Sequence, residues 1–278
     1  RPAGTDGDEM GYHDLTYEKA DHIATITLDN PEKLNAMTGK MLASFSTAIE
    51  EVRSDDDVRV LVLTGRGRGF CTGADTEMLI ALAMGKPVPG AEEEEGRRHR
   101  MEPIGWFGVE VSQLENPTIA AVNGHAVGLG MGLALACDIR IASEKAVFSE
   151  AFVRMGLIPG DGSCWQLPRL IGMSNTLLLQ YTGDRIDGPE AYRLGIASKL
   201  FPDDELWGAS LELASRLAQG ATQSHALIKY LVHKSLSMDF EDALDLAHVA
   251  QEQARKTEDH KEAVQAFLEK RPANLKGR

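Results

Sequence analysis

Apolar and polar residues alternate over HIATITLD, His22 to Asp29, with the period of two that a half-buried strand requires. Asn30-Pro31 then signals a turn. Thr38 follows as a cap for a helix in which Met41, Leu42, Phe45, Ile49 and Val52 recur at helical spacing. VRVLVLTG, Val58 to Gly65, is a continuous apolar run and predicts a buried strand ending in the glycine-rich loop GRGRGFCTGAD. A second helical pattern covers roughly 76–85, and a third resumes near Met101 and stops before Asn116-Pro117. TIAAV, from Thr118, reads as a strand and NGHAVGLGMG as a glycine-dense loop, and LALACDIRIAS carries an apolar helix into a further strand. Strands that alternate with helices predict an α/β core built from crossover units.

Past about residue 200 the pattern changes. DDELWGASLELASRLA, SHALIKYLVHKSL and FEDALDLAHVAQEQA are amphipathic helices with no strand pattern between them, so 201–278 reads as a helical region with apolar faces suited to subunit contacts. Residues 12–200 read as the core. Residues 1–11 are polar, lack the apolar centre of a signal peptide, and read as a flexible arm. PVPGAEEEEGRRHR, 87–100, reads as a charged, mobile surface loop.

Composition works by exclusion. A formal net charge of −13 argues against a broad nucleic-acid surface, while an anionic small molecule stays compatible if basic residues gather locally. No apolar run reaches the length of a membrane helix. Cys71, Cys137 and Cys164 are widely separated with no CxxC pair, which points away from a metal site and toward a reduced, cytoplasmic chain.

Two glycine loops carry the candidate chemistry. GLGMG, Gly128 to Gly132, lacks the spacing of a dinucleotide fingerprint, since Leu133 stands where the third glycine is needed. The alternative is that FCTGAD and NGHAVGLGMG each bring a backbone N–H to one ligand oxygen, because glycine lets the main chain approach closely.

NPEKLNAM, GRGFCTGAD, AAVNGHAVGLGMGLALACDIRIAS, FVRMGLIPG and AFLEKRPANLKG follow one another in the order and spacing of one family. From about residue 12 to its C-terminus the chain resembles the crotonase, or enoyl-CoA hydratase/isomerase, family. The resemblance implies an α/β fold, a spiral of ββα units with a C-terminal helical trimerisation region. It also implies acyl-CoA thioester substrates, with coenzyme A entering as part of the substrate, no separate cofactor, and a homotrimer or a hexamer made as a dimer of trimers. By position, the resemblance makes the N–H groups of Ala74 and Leu129 an oxyanion hole for a thioester enolate. It assigns CoA contacts to Lys33, Leu34 and Ala36 in EKLNA and to the backbone around Thr72, Gly73 and Asp75. Phe267 and Lys270 in AFLEKR match residues that reach a neighbouring subunit's nucleotide.

The chain departs from the hydratase pattern at both carboxylates. The two glutamates that activate water and deliver a proton would stand at positions held here by Gly132 and Phe152. Glu150 and His125 are possible substitutes, but Glu150 is displaced from Phe152 either along the chain, if extended, or around the axis, if helical. Asp161, in GLIPGDGSCWQLPR, is the remaining acid. It resembles the single aspartate of phenylacetate-pathway isomerases, shifted by one residue, and the aspartate in the PGDG of 6-oxocamphor hydrolase. The histidines of that hydrolase align with Lys40, Leu129 and Val153. Asp161 equally suits a helix N-cap, which would lower its pKa, with Pro168 shortening or kinking the helix that follows. The reading is an isomerase-type acyl-CoA enzyme with Asp161 as acid/base. The alternatives are a C–C bond hydrolase and a non-catalytic acyl-CoA-binding homologue.

Overall fold

A computed structural model of the chain describes residues 11–89 and 106–277. The expected N-terminal arm and most of the charged loop at 87–100 therefore lie outside the described residues. A helix beginning at Met101 lies there in part; it is seen as α3, Trp106–Ser112.

The chain opens with the antiparallel pair β1 (Leu15–Ala20) and β2 (Ile23–Leu28). Helix α1 (Gly39–Ser54) follows, and Thr38 Oγ1 accepts the Met41 N–H at 3.0 Å, the cap its position predicts. β3 (Val60–Gly65) and the short β4 (Gly69–Cys71) come next, then α2 (Thr76–Ala83). Beyond α3 come β5 (Thr118–Val122), β6 (His125–Val127), α4 (Leu129–Ala136), β7 (Ile139–Ser143) and β8 (Val147–Ser149). After a 3₁₀ turn at Ala151–Met155 the chain forms α5 (Ser163–Thr182), β9 (Ile186–Asp187), α6 (Gly188–Leu194) and β10 (Lys199–Phe201). It ends in four helices: α7 (Leu206–Ala218), α8 (Thr222–Ser235), α9 (Phe240–Lys256) and α10 (Glu258–Glu269).

Six strands form one sheet in the order β1-β2-β3-β5-β7-β10, parallel from β2 onward. The apolar run on β3 follows from burial of both faces. Leu61 and Leu63 pack with Met41, Phe45 and Ile49 of α1 on one side. Val60 and Val62 pack with Leu213 and Ala214 of α7 on the other. The expectation of crossover units holds here.

A second sheet, β4-β6-β8-β9, was not read from the sequence. Its strands are two or three residues long, and β4 and β6 sit inside the glycine loops, so no periodicity marks them. It holds the site together, because β4 and β6 pair in parallel and deliver the two loops side by side.

Two expectations about α5 need correction. Gly162 is its N-cap residue, one later than expected, and Asp161 reaches the helix from the preceding position. The helix breaks at Gly172 (φ 75°, ψ 164°) and continues through Pro168 with helical backbone. Glycine alone enters that dihedral region without steric cost, so the break falls there.

Candidate active site

The loop after β2 is fixed by a residue that sequence reasoning passed over. Asn35 is fully buried with φ 58°. Its Oδ1 accepts the Asn30 N–H at 2.8 Å, and its Nδ2 donates to Arg66 O at 3.0 Å and Gly69 O at 2.7 Å. Asparagine tolerates the left-handed region and bonds backbone locally, which makes it the natural clamp here. The signal was present in LNAM, where a small amide follows a turn.

This clamp arranges the residues assigned to CoA. Leu34 is also left-handed, at φ 51°, and the Thr72 hydroxyl lies 3.3 Å from the carbonyl oxygens of both Lys33 and Leu34, sharing its one hydrogen between them. Lys33 Nζ lies 3.4 Å from Asp75 Oδ2, and the other carboxylate oxygen of Asp75 caps α2 by accepting Met78 N–H at 2.8 Å. Ala36 is buried beside them. Lys33, Leu34, Ala36, Thr72, Gly73 and Asp75 thus come together. Phe267 belongs to α10, which packs on α9, and is 81% exposed; Lys270 follows as its left-handed C-cap.

The loops that carry the two candidate oxyanion donors lie side by side. Gly73 O accepts Met37 N–H at 2.7 Å, and Asp75 N–H donates to Met37 O at 3.0 Å. The flanking residues make that bridge, so the Ala74 N–H takes no part in it. A Cβ built on Gly73 would lie 2.9 Å from Val127 O and 3.4 Å from Leu129 N. Leu129 is the first residue of α4, where helical N–H groups have no partner in the helix. Among the described residues, neither the Ala74 nor the Leu129 amide donates to a carbonyl or side chain. Leu129 carries no left-handed strain; the positive φ of this turn falls on Gly128, at 53°.

The missing glutamates leave two different environments. At Phe152 the ring lies over Gly128, 3.7 Å from where a Cβ there would sit. At Gly132 the space is filled by Asp161. A Cβ built on Gly132 would fall 2.4 Å from Asp161 Oδ2 and 2.7 Å from its Cβ and Cγ. Gly132 stands three residues beyond Leu129, about 4.5 Å along the helix axis. The carboxylate of Asp161 therefore occupies the place that a side chain at the first glutamate position would need.

Asp161 is 2% exposed. Its Oδ1 accepts the Ser163 N–H at 3.0 Å and the Ser163 hydroxyl at 2.7 Å, while buried Oδ2 has no partner within the chain. Burial raises its pKa, more than the two Ser163 bonds lower it, so the fall expected from capping is outweighed. Glu150 also enters the site. It is fully buried, and its Oε2 lies 2.9 Å from Ser163 Oγ. Burial, and then the Asp161 charge, push its pKa up to about 9. The chain leaves β8 at Ser149 and enters a 3₁₀ turn, so the Glu150–Phe152 offset follows neither extended nor α-helical geometry. His125, on β6, is half-buried, Lys40 is exposed on α1, and Val153 is 41% exposed. A cavity of about 710 Å³ lies against Asp161, with walls that include Trp106, Leu135, Trp165, Ile228 and Val232 but neither Ala74 nor Leu129.

Glu150 gives the protein a pH signature. With its folded-state pKa above the unfolded value, the folded chain holds a proton that the unfolded chain has released, and stability falls as pH rises through about 9. The urea midpoint is expected to be lower near pH 9 than near pH 6, and Glu150→Gln is expected to shrink that difference.

Comparison with known proteins settles the family. The family model described as enoyl-CoA hydratase/isomerase matches residues 18–278. The chain belongs to the enoyl-CoA hydratase/isomerase family. It is 33% identical to the short-chain-enoyl-CoA hydratase of Clostridium acetobutylicum, over 94% of this chain and 97% of that one. It is 34% identical to the 1,2-epoxyphenylacetyl-CoA isomerase of Escherichia coli, over 92% and 95%. The enoyl-CoA hydratase/isomerase crystal structure from Cupriavidus metallidurans superposes with a TM-score of 0.85 at 31% identity, covering 96% of this chain and 98% of that one. A hydratase and an isomerase stand at nearly equal distance, so the family identifies an acyl-CoA enzyme and the reaction must be argued from the site.

Among the described residues, no group of acidic, His and Cys side chains is arranged to hold a metal ion, and no helix is long and apolar enough to cross a membrane.

Proposed function

We propose that this family member acts as an isomerase-type acyl-CoA enzyme in which one carboxylate, Asp161, removes and returns a proton. The observation that carries this reading is the placement of Asp161 over Gly132, with one oxygen anchored by Ser163 and the other unpartnered. The substrate thioester oxygen is taken by the amides of Ala74 and Leu129 as the enolate forms. Such donors aimed at developing charge typically contribute about 3–4 kcal/mol each. A double-bond shift needs a proton taken from one carbon and returned to another, which one base can do. Hydration needs an activated water and a placed proton donor, and the side chains at 132 and 152 supply neither. A pKa raised by burial brings Asp161 closer to working pH, where a general base is most effective.

Coenzyme A enters as part of the substrate. Its nucleotide and pantetheine lie along Lys33, Leu34, Ala36 and the Thr72–Asp75 backbone, and Phe267 and Lys270 serve the site of a neighbouring subunit. Support for assembly comes from apolar side chains left exposed on α8 to α10, among them Val232, Phe240, Phe267 and Leu268. A homotrimer, alone or paired into a hexamer, covers them. The reading is tested by incubating the wild-type protein with a panel of short-chain, aromatic and unsaturated acyl-CoAs in D₂O. Deuterium is expected in the acyl group of at least one. Tight acyl-CoA binding with no exchange anywhere in the panel would identify a binding protein instead.

A further inference from the structure

Three side chains converge on Ser163, and a count of hydrogens decides how they bond. Ser163 Oγ lies 2.7 Å from Asp161 Oδ1, 2.9 Å from Glu150 Oε2 and 3.4 Å from Gln180 Nε2. A hydroxyl has one hydrogen to give and two lone pairs to receive. It can donate to one carboxylate only, so two ionised carboxylates would leave one short O···O contact with no hydrogen in it. One of the two carboxyls therefore carries a proton.

The surroundings select which. Asp161 Oδ1 also accepts the Ser163 backbone N–H at 3.0 Å, a bond that favours the ionised form. Glu150 has no second donor: its Oε1 is buried without a partner. With the proton on Glu150, every bond acquires a direction. Cys164 Sγ–H donates to Gln180 Oε1 at 3.6 Å, and Gln180 Nε2 and the Glu150 O–H both donate to Ser163 Oγ. The Ser163 hydrogen then falls on Asp161. Two hydrogens end on Oδ1, and Oδ2 is left without a partner, buried beside Gly132.

We propose that Glu150, held neutral, is a positioning residue for Asp161. It gives its hydrogen to Ser163 Oγ, which commits the serine hydrogen to Asp161 Oδ1 and leaves Oδ2 as the oxygen that meets the substrate. The proposal rests on the reading of Asp161 as the acid/base. Burial of Glu150 beside Asp161 raises its pKa and agrees with the hydrogen count.

The groups around this pair are held elsewhere: in the cavity against Asp161, Arg140 donates to the carbonyls of Ile196 and Cys137, Lys229 pairs with Asp138, and His225 and His233 form no pair with either carboxyl. Cys164 is the titratable neighbour on α5, and Arg169 of the same helix stacks on Trp165. The LGMGLALA sequence of α4 and the VFS sequence of β8 carry no charged side chain. Arg154 of the 3₁₀ turn pairs with Asp184, and Glu110 of α3 accepts from Ser46. No cation pairs with Glu150 or Asp161 among the described residues.

Infrared spectroscopy of the intact protein, without substrate, reads the proton directly. A protonated-carboxyl C=O stretch is expected at neutral pH, lost in Glu150→Gln and retained in Asp161→Asn. Its absence from the wild type, or its loss in Asp161→Asn with retention in Glu150→Gln, would overturn the proposal. The kinetic counterpart is the pH profile of acyl-group proton exchange. The alkaline limb of the wild type, where Glu150 ionises and the serine hydrogen is no longer committed, is expected to move up by about one pH unit or more in Glu150→Gln. An unmoved limb counts against the proposal. Failure of the parent reading looks different: exchange that survives Asp161→Asn removes Asp161 as the acid/base, whatever the infrared spectrum shows.

Discussion

Replacing Asp161 with asparagine is expected to lower acyl-group proton exchange by about a thousandfold, within the range over which a positioned general acid or base acts. Acyl-CoA affinity is expected to stay within about twofold, since a residue that works only in the chemical step contributes little to ground-state binding. Asparagine keeps the shape of the side chain. Its amide oxygen can accept the same two Ser163 hydrogens that hold Oδ1, so the geometry survives while the base is lost. The effect should therefore appear in kcat and leave the binding isotherm nearly unmoved. A fall confined to affinity would place Asp161 in binding and not in proton transfer.

Gly132→Ala is expected to have the second largest effect, by adding one methyl group. Elsewhere in a helix this change stabilises by about 0.5–1 kcal/mol, and Gly132 has no positive φ to forbid it. Here the new Cβ falls 2.4 Å from Asp161 Oδ2, inside van der Waals contact. The carboxylate cannot swing away without giving up its two bonds from Ser163. Overpacking of this kind costs about 1–3 kcal/mol, so the variant is expected to be less stable than the wild type despite its better helix propensity. Exchange should fall by about a hundredfold or more, as a misplaced catalytic group does. The double variant Gly132→Ala, Asp161→Gly removes the clash and should recover the urea midpoint while remaining inactive. That non-additivity would show the two positions sharing one volume. If Gly132→Ala keeps full exchange and stability, the carboxylate does not occupy that space.

Parts of this arrangement were legible in the residues because they obey local rules. The period of Met41, Phe45, Ile49 and Val52, with Thr38 in front, specifies α1 and its buried face without reference to the rest of the chain. The run Val60 to Leu63 specifies a strand covered on both sides for the same reason. The second sheet was not legible, since HAV and VFS become strands only by pairing with each other and with β4 or β9. Ser163 was missed as well. It lies 13 residues from Glu150 and two from Asp161, and no sequence pattern says that its hydroxyl joins them. Local sequence could not say how Asp161 divides its two oxygens. One oxygen serves the start of α5 and the other faces Gly132, a division that depends on packing between α4 and α5.

Gly132 and Phe152 carry a wider lesson about the family. Gly132 leaves room on α4, and the carboxylate of Asp161, just before α5, fills it. At the second position the ring of Phe152 lies over Gly128 instead. A motif search for the two glutamates therefore finds nothing where the geometry still presents one carboxylate.

The account is tested most directly by proton exchange in D₂O, followed by mass spectrometry on wild-type protein and Asp161→Asn side by side at saturating acyl-CoA. Steady incorporation of deuterium into the acyl group by the wild type, and none above background by Asp161→Asn with acyl-CoA still bound, is the predicted result. Equal incorporation by the two proteins would contradict it.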